Sequence, residues 1–543
     1  MRFVKFLCLL LAAALVLLAA ALAAPNRAQA EEAQSAGAEP VVRVGMYINN
    51  SVADTRRLSS VLACGSGFEI GRSDGTAFLP MLTVASKRIV IVPLLNMQID
   101  YDSKYAGAES GEGNFGAWSV KNGLYGDYYS ARSAGDFAAV TSRGFESRLG
   151  TFGTEEEALA HDAGGGVAPP SGNCLALIDA DTREIILTYE DATRPLALRG
   201  AGGALVSLPM VSFSGSWYIF EYPGFFEFSA ASGLLHMVNC LGLEEYTRCV
   251  MANEIGGDFT KETRRAFSVL ARTFALGKKH ARQGYDVCSR PDCCQCYYGV
   301  YRMDEENNEI VDSTRGLACY YKGEPIAVLY TGANGGASCS SVAAWGGDEV
   351  PYLTSVFLEN DEIEAEYRWE VSFTKSELYK HLSVRSAFSA ISDMNISMQV
   401  LARDPYGSSY VTTLSVSDGA GHTVELNNSE TIRMATAFSS ANFDIEYTQD
   451  IEVLTAEGTV ETRSVSGVLT AEGYKPFTGF NESYGSEEYG AVITPDKVTV
   501  RGVGSGHGVG FSATGSEKLS REGYDFRYIL QFYFKGTETV QLY

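Results

Sequence analysis

Along most of this chain apolar residues alternate with polar ones, and the places where that period changes mark its organisation. Residues 41–47 (VVRVGMY) alternate as a strand, and residues 89–93 (IVIVP) form a continuous apolar run of the kind buried on both faces. Strand-like runs recur at 184–189 and 218–222, and 221–228 with 234–239 fit the two arms of a hairpin. The hairpin leads into residues 239–276, where the period becomes helical. At about 100° per residue Leu243, Tyr246, Val250 and Glu254 fall on one narrow face, while Glu244 and Glu245 point elsewhere. Beyond Trp345 the chain is β-rich again, with a helical insert at 376–382, strands at 395–400 and 410–416, and a strand at 499–502 that runs into a glycine loop. The pattern predicts an α+β fold: a β-rich, multi-part chain with one short helical segment of chemical interest.

The 543 residues are enough for two to four domains, and 45% hydrophobic content supports real cores. Residues 1–30 carry Arg2 and Lys5, an apolar run over 6–24, and then Ala28-Gln29-Ala30, the order of a secretory signal. Export is the expectation, with an uncleaved membrane anchor as the alternative. Cys8 opens the apolar run, which speaks against lipoprotein acylation. Residues 31–40 read as a linker, 41–112 as a β-rich N-terminal unit, 113–170 as a second small unit, and 171–543 as the main region. Within 113–170, the pieces 124–131 and 149–158 are loosely similar to each other.

The net charge is −23, or −26 without residues 1–30, which hold three cations and no acids. Such a surface repels phosphodiester backbones, so nucleic acid is not an expected partner. Any anionic substrate would need a local cationic patch.

Glu254 is the carboxylate placed where chemistry can use it, in line with apolar side chains. Burial against them raises a carboxyl pKa towards neutrality, as a general acid requires; the bland reading is a glutamate at a fraying helix end before Gly256-Gly257. Eleven cysteines occur, and four of them, Cys288, Cys293, Cys294 and Cys296, follow closely on His280. Thiolates with an imidazole at this spacing suit tetrahedral zinc, disulfides suit an exported chain, and free thiols are the third state. Residues 504–510 alternate glycine with other residues, a loop that lets sugar or backbone approach, with His507 and Ser512 able to bond hydroxyls. Trp345, Tyr297 and Tyr246 are flat faces on which a sugar could stack, or else core. No H-E-x-x-H, G-x-S-x-G or kinase pattern appears, which removes support for metalloprotease, serine hydrolase and phosphoryl-transfer readings.

Three ordered segments resemble the stage II sporulation protein D and amidase-enhancer family. They are Leu243-Glu244-Glu245-Tyr246 with Val250, Glu254 and Ala271-Arg272-Thr273-Phe274-Ala275; the run 312–353 with Tyr330, Gly335-Gly336 and Trp345-Gly346; and the glycine loop 504–512. The core motifs span 239–353 and 499–534, the latter closing on a segment similar to the family's I-L-x-x-Y-Y element. The chain departs from the family at Phe267 and Ala513, which replace glutamines.

The resemblance implies an exported wall protein, extracytoplasmic, in the wall or anchored at the septum. It implies a lytic transglycosylase that cuts peptide-stripped peptidoglycan strands in sporulation or septal wall remodelling; the alternative it leaves is a non-catalytic glycan-binding activator of a wall amidase. Partners would be glycan strands, a wall amidase or septal sporulation proteins. Glu254 takes the position of the family's catalytic glutamate, and Tyr246, Arg272, Tyr297, Trp345, His507 and Ser512 would face substrate, Arg272 alternatively pairing with an acid to orient its helix. Relatives keep cysteines at Cys288 and Cys294 and a histidine where this chain has Cys293. A structural zinc would then take His280, Cys288 and Cys294 and pin the loop beside Glu254, while the chemistry itself needs no cofactor. Piece 149–158 also resembles the strand-to-helix turn of sporulation-related repeats that bind denuded glycan.

Overall fold

The computed structural model describes residues 37–46, 60–94, 117–211, 217–231, 233–358, 367–470, 472–480, 483–486 and 491–543. The expected leader, most of the linker and residues 95–116, where the first two expected units were to meet, lie outside these. The fold is α+β and β-rich, as expected. The chain divides into two compact units. Among the described residues, one holds 37–258, Phe267–Ala318 and Val540–Tyr543, and the other holds Phe259–Ala266 and Cys319–Thr539. Among the described residues no helix is long and apolar enough to cross a membrane.

The first unit is built on a seven-stranded and a ten-stranded sheet. Strand Arg88–Leu94 sits inside the larger one between Ser60–Ala63 and Ser171–Asp179, with Ile89, Val90 and Ile91 at zero exposure, as a run without polar alternation requires. Residues 41–94 do not close a sheet of their own. Val41–Gly45 pairs with Leu234–Gly242, Phe68–Ser73 with Leu196–Gly200, and Arg88–Leu94 with Ser171–Asp179, so the early strands are woven into sheets completed over a hundred residues later.

Residues 118–168 run strand, helix (α1, Tyr128–Ser133), strand, strand, helix (α2, Glu155–Ala160), strand. All their neighbouring strands pair antiparallel, in spatial order fourth, first, third, second, which is the split βαβ arrangement. The similar pieces 124–131 and 149–158 are its two strand-to-helix turns, the second closed by a capping box between Thr154 and Glu157. Its outer strand Phe137–Thr141 continues into the ten-stranded sheet by parallel pairing with Ile185–Tyr189. The strand face carrying Glu146 and Arg148 is closed, both being buried and Arg148 bridging to Glu190 at 2.9 Å.

The expected hairpin forms between Phe225–Ala231 and Leu234–Gly242, and its second arm runs directly into helix α3, Leu243–Glu254. Gly242 caps α3 without a side chain of its own. A Cβ there would lie 2.4 Å from the Glu39 carboxylate, which instead accepts the Glu244 N–H at 2.9 Å. Helix α4, Lys261–Leu276, follows after a short turn.

Glu244, read from periodicity as pointing away from the apolar face, is 1% exposed and meets the fully buried Arg272 of α4 in a bidentate pair at 2.7–3.1 Å. The same carboxylate accepts Gly316 N–H at 2.9 Å and Tyr543 O–H at 2.6 Å, while Arg272 also donates to the Val311 carbonyl at 2.7 Å. Arg272 Nη1 donates to Thr314 Oγ1 at 3.1 Å, so each nitrogen of the guanidinium and both carboxylate oxygens have partners, the condition under which a buried ion pair is tolerated.

The other unit has a core of Leu378, Leu382, Phe388, Leu414, Val498 and Val500. It packs a four-stranded sheet ordered Arg368–Thr374, Lys497–Val503, Phe443–Leu454, Val460–Val465 and a three-stranded one from Ser397–Arg403 to Thr423–Asn427. The expected helical insert is Lys375–Ser383.

Burial pushes the Glu244 carboxyl up, but the Arg272 hydrogen bonds and charge outweigh it and hold the group below its ordinary value. A depressed folded pKa gives stability that is present above the unfolded value, about 4.3, and lost as pH falls through the folded one. Chemical denaturation followed by circular dichroism should show the midpoint dropping below pH ~4, with Glu244→Gln removing part of that acid dependence. Arg272→Met, which strands a buried carboxylate, should cost about 3–5 kcal/mol at pH 7.

Candidate functional site

Glu254 is the last residue of α3, with the buried Ile255 between it and the exposed Gly256-Gly257. Leu243, Tyr246 and Val250 on its face have zero exposure, whereas Glu254 is half-buried. A helix C-terminus disfavours an anion. The Cys296 backbone N–H offsets this by donating to Glu254 Oε1 at 2.6 Å. Burial, and then the charge of Glu254, push the Cys296 thiol up to about 11.

Tyr246 and Tyr297, expected to offer faces to sugar, are fully buried and stack on each other at 5.6 Å. Tyr246 O–H donates to Gln295 Oε1 at 3.0 Å and Tyr297 O–H to Asn239 Oδ1 at 2.5 Å, so both rings hold the Cys296 loop from beneath. Arg272, expected at the substrate, is instead sealed against Glu244. The orienting reading is the one its burial allows.

The loop before Cys296 gathers His280, Cys288, Cys293 and Cys294, whose ligating atoms all lie within 4.8 Å of one another. Cys288 is fixed by strand Val287–Cys288, which pairs parallel with Val41–Gly45. Cys293 and Cys294 sit in a turn whose N–H groups both reach the Arg290 carbonyl, at 3.2 and 2.8 Å. Cys293 Sγ is 3.3 Å from His280 Nε2. None of the ten cysteines past the leader is joined in a disulfide. Hydrogen bonds with Cys288 and Cys294 hold the Cys293 thiol low, and those with Cys288 and Cys293 hold the Cys294 thiol high, so the trio favours a thiolate at Cys293. Three thiols and an imidazole at mutual distances of this size suit a tetrahedral Zn²⁺, with its Zn–S of about 2.3 Å and Zn–N of about 2.0 Å. Cys293, absent from the expected set of His280, Cys288 and Cys294, would be the fourth donor.

In the other unit Trp345, half-buried at the end of helix Ser341–Trp345, lies 5.3 Å from the His507 ring. Val509 N–H donates to His507 Nδ1 at 3.0 Å, which places the ring proton on Nε2. The glycines flanking His507 leave room for the protein itself rather than for a ligand. A Cβ on Gly508 would meet the Tyr410 hydroxyl at 2.0 Å, and one on Gly510 the Leu329 carbonyl at 2.3 Å. Ser512, expected to bond a sugar hydroxyl, is fully buried and caps helix Ala513–Arg521 by accepting Gly515 N–H at 3.2 Å.

The family profile Stage II sporulation protein matches residues 231–321. That segment takes in the hairpin arm, α3, α4 and the whole cysteine loop. The chain is 25% identical to the amidase enhancer of Bacillus subtilis over 306 residues, 53% of this chain and 39% of that protein. It is 24% identical to stage II sporulation protein D of the same organism over 318 residues, 55% of this chain and 75% of that one. An uncharacterised protein of Brachyspira hyodysenteriae is 25% identical over 325 residues, 59% of this chain and 72% of its own length. The chain therefore carries a stage II sporulation domain over residues 231–321 and is similar over more than half its length to an amidase enhancer and to a stage II sporulation protein D. It spans well under half the length of the amidase enhancer it matches.

Within the stage II sporulation segment, sequence reasoning missed Glu244, Gln295 and Cys296. Glu244 falls off the apolar stripe, and only a complementary buried arginine 28 residues on could have revealed it. Cys296 acts through its backbone, which its residue type does not signal. Phe267, one of the departures from the family, is a core side chain at 3% exposure.

Burial holds the His507 imidazole down at about 4. Nitrogen-detected NMR of the imidazole should therefore show a neutral ring protonated on Nε2 throughout pH 8 to 5, where an unperturbed histidine would titrate near 6.5.

Proposed function

We propose that this protein works on the bacterial cell wall in sporulation or septal remodelling, as a lytic transglycosylase cutting peptide-stripped glycan strands. The observation that carries the reading is Glu254: a half-buried carboxylate at a helix end, oriented by the Cys296 N–H at 2.6 Å. Most glycosidases need a second carboxylate to attack or to activate water. Here one suffices. Glu254 protonates the glycosidic oxygen, then as carboxylate takes the proton from the muramoyl C6 hydroxyl, which attacks its own anomeric carbon and closes a 1,6-anhydro ring. The nucleophile is already on the substrate, so proximity replaces an external one. The protein would act outside the cytoplasm, on strands already exposed by amidases.

One observation favours a second reading, a glycan-binding activator of a wall amidase: a relative over 53% of the chain is named amidase enhancer. Digestion of peptide-free glycan by the purified protein, with product masses, separates the two. We expect anhydro-ended products, cut faster than from intact wall, and their loss in Glu254→Gln, which keeps the side chain's size but has no transferable proton. Undiminished cutting by that variant would remove Glu254 from the mechanism, and no cutting by the parent chain would favour the activator.

A zinc ion bound by His280, Cys288, Cys293 and Cys294 would supply no step; it would tie down the turn that leads to Cys296. Metal analysis should find close to one zinc per chain. Cys294→Ser should lose it together with thermal stability, and chelator rather than reductant should reproduce that loss.

A further inference from the structure

Beside the Glu254 loop an aromatic tier rises from the core to the surface. Strand Trp217–Tyr222 places Tyr222, Phe220 and Tyr218 on one side, since alternate residues share a face. Their exposures climb from 0% to 5% to 50%. Tyr222 packs on Tyr297 at 5.6 Å, Phe220 stacks on Tyr298 at 4.8 Å and 9°, and Tyr218 stacks on Phe220 at 5.8 Å. Tyr301, 45% exposed, closes the tier edge-on to Phe220 at 5.2 Å.

The tier is joined to the carboxylate by the chain itself. Cys296 holds Glu254, Tyr298 hydrogen-bonds the Cys296 thiol, and Val300 N–H donates to the Glu221 carbonyl at 2.9 Å, fastening this loop to the strand. Gly299 makes that approach possible, since a Cβ there would lie 2.0 Å from the same carbonyl.

Arg302 completes the group. It is an exposed cation with φ at +61°, a conformation that side-chain-bearing residues adopt only when the surroundings impose it. Its guanidinium stands 5.3 Å over the Tyr301 ring, and among the described residues it enters no ion pair. In a chain of net charge −23 this is a local cation beside an aromatic ring, six positions along the chain from the Cys296 that holds the proposed acid.

We propose that Tyr218, Tyr301 and Arg302 form a subsite for an acidic sugar of the glycan strand. The tyrosine rings would take the apolar face of a pyranose, and Arg302 the carboxylate that a muramoyl residue regains once its peptide is removed. This rests on the glycan reading above and adds the basis of its specificity: stripped strands carry that carboxylate free, whereas intact wall has it tied up in an amide.

The test is equilibrium binding by the Glu254→Gln chain to peptide-free muramoyl strands and to chitin oligosaccharides of matched length, which have no carboxylate. Arg302→Gln added to that chain should weaken strand binding about tenfold and leave chitin binding unchanged. Carboxyl-reduced strands should bind as the arginine variant binds native ones. Tyr218→Ser and Tyr301→Ser, both at exposed positions, should weaken both ligands. Equal affinity for strands with and without Arg302, or an equal loss on both ligands, would overturn the proposal. The outcome is separable from the catalytic reading, because cutting by Glu254→Gln would sink that reading while the binding comparison still stands.

Discussion

One buried ion pair governs how the chemistry-bearing segment is held. Glu244 and Arg272 are taken out of water at a cost of several kcal/mol per ion, and their attraction repays it with the help of further hydrogen bonds to Gly316, Tyr543, Thr314 and Val311. That cage fixes the start of α3 against α4 and so sets where α3 ends. Glu254 lies ten residues further along the same helix, so a tilt at Glu244 would be carried to the Glu254 end with a lever arm of about 15 Å. A hydrophobic substitute could fill the volume. It could not impose the directional geometry that bidentate bonds and their satellites do.

The far end of α3 is held by a different device. Where the helix has no following turn to give it donors or charge, the cysteine loop supplies a backbone N–H, and the rings of Tyr246 and Tyr297 form the floor on which that loop rests. Glu254 thus depends on groups from a segment some forty residues later. The cysteine–histidine cluster and the carboxylate share that loop, with one residue, Gln295, between the Cys293-Cys294 turn and the Cys296 amide that matters only because of where it points.

Much of this was legible in sequence wherever the period of apolar residues was strong. The hairpin before α3, the buried run at 89–93 and the apolar stripe of α3 are dictated by burial, and burial is what periodicity records. The cysteine cluster was legible from spacing, including its histidine. What escaped depends on partners distant in sequence. A tyrosine that stacks on sugar and one that stacks on another tyrosine look alike until the fold is known, so the sequence left Tyr246 and Tyr297 open between a sugar platform and core, and burial makes them floor. Ser512 reads as a ligand because a cap and a sugar contact use the same hydroxyl. The glycines around His507 signalled close approach correctly, but the approaching group is Tyr410 and the Leu329 carbonyl, not a ligand.

The placement of strand Val41–Gly45 bears on how such a chain can fold as it is made. It lies between Leu234–Gly242 and Val287–Cys288, so the earliest strand has no neighbour until nearly two hundred more residues have emerged, and its second neighbour comes later still. The Glu244 cage waits longer, for Tyr543, 299 residues on. Pairings this remote in sequence are slow to form and leave apolar strand edges uncovered in the interval. A fragment cut to the family segment alone would lack Val41–Gly45 and keep that edge open, making it a candidate for aggregation rather than a minimal enzyme.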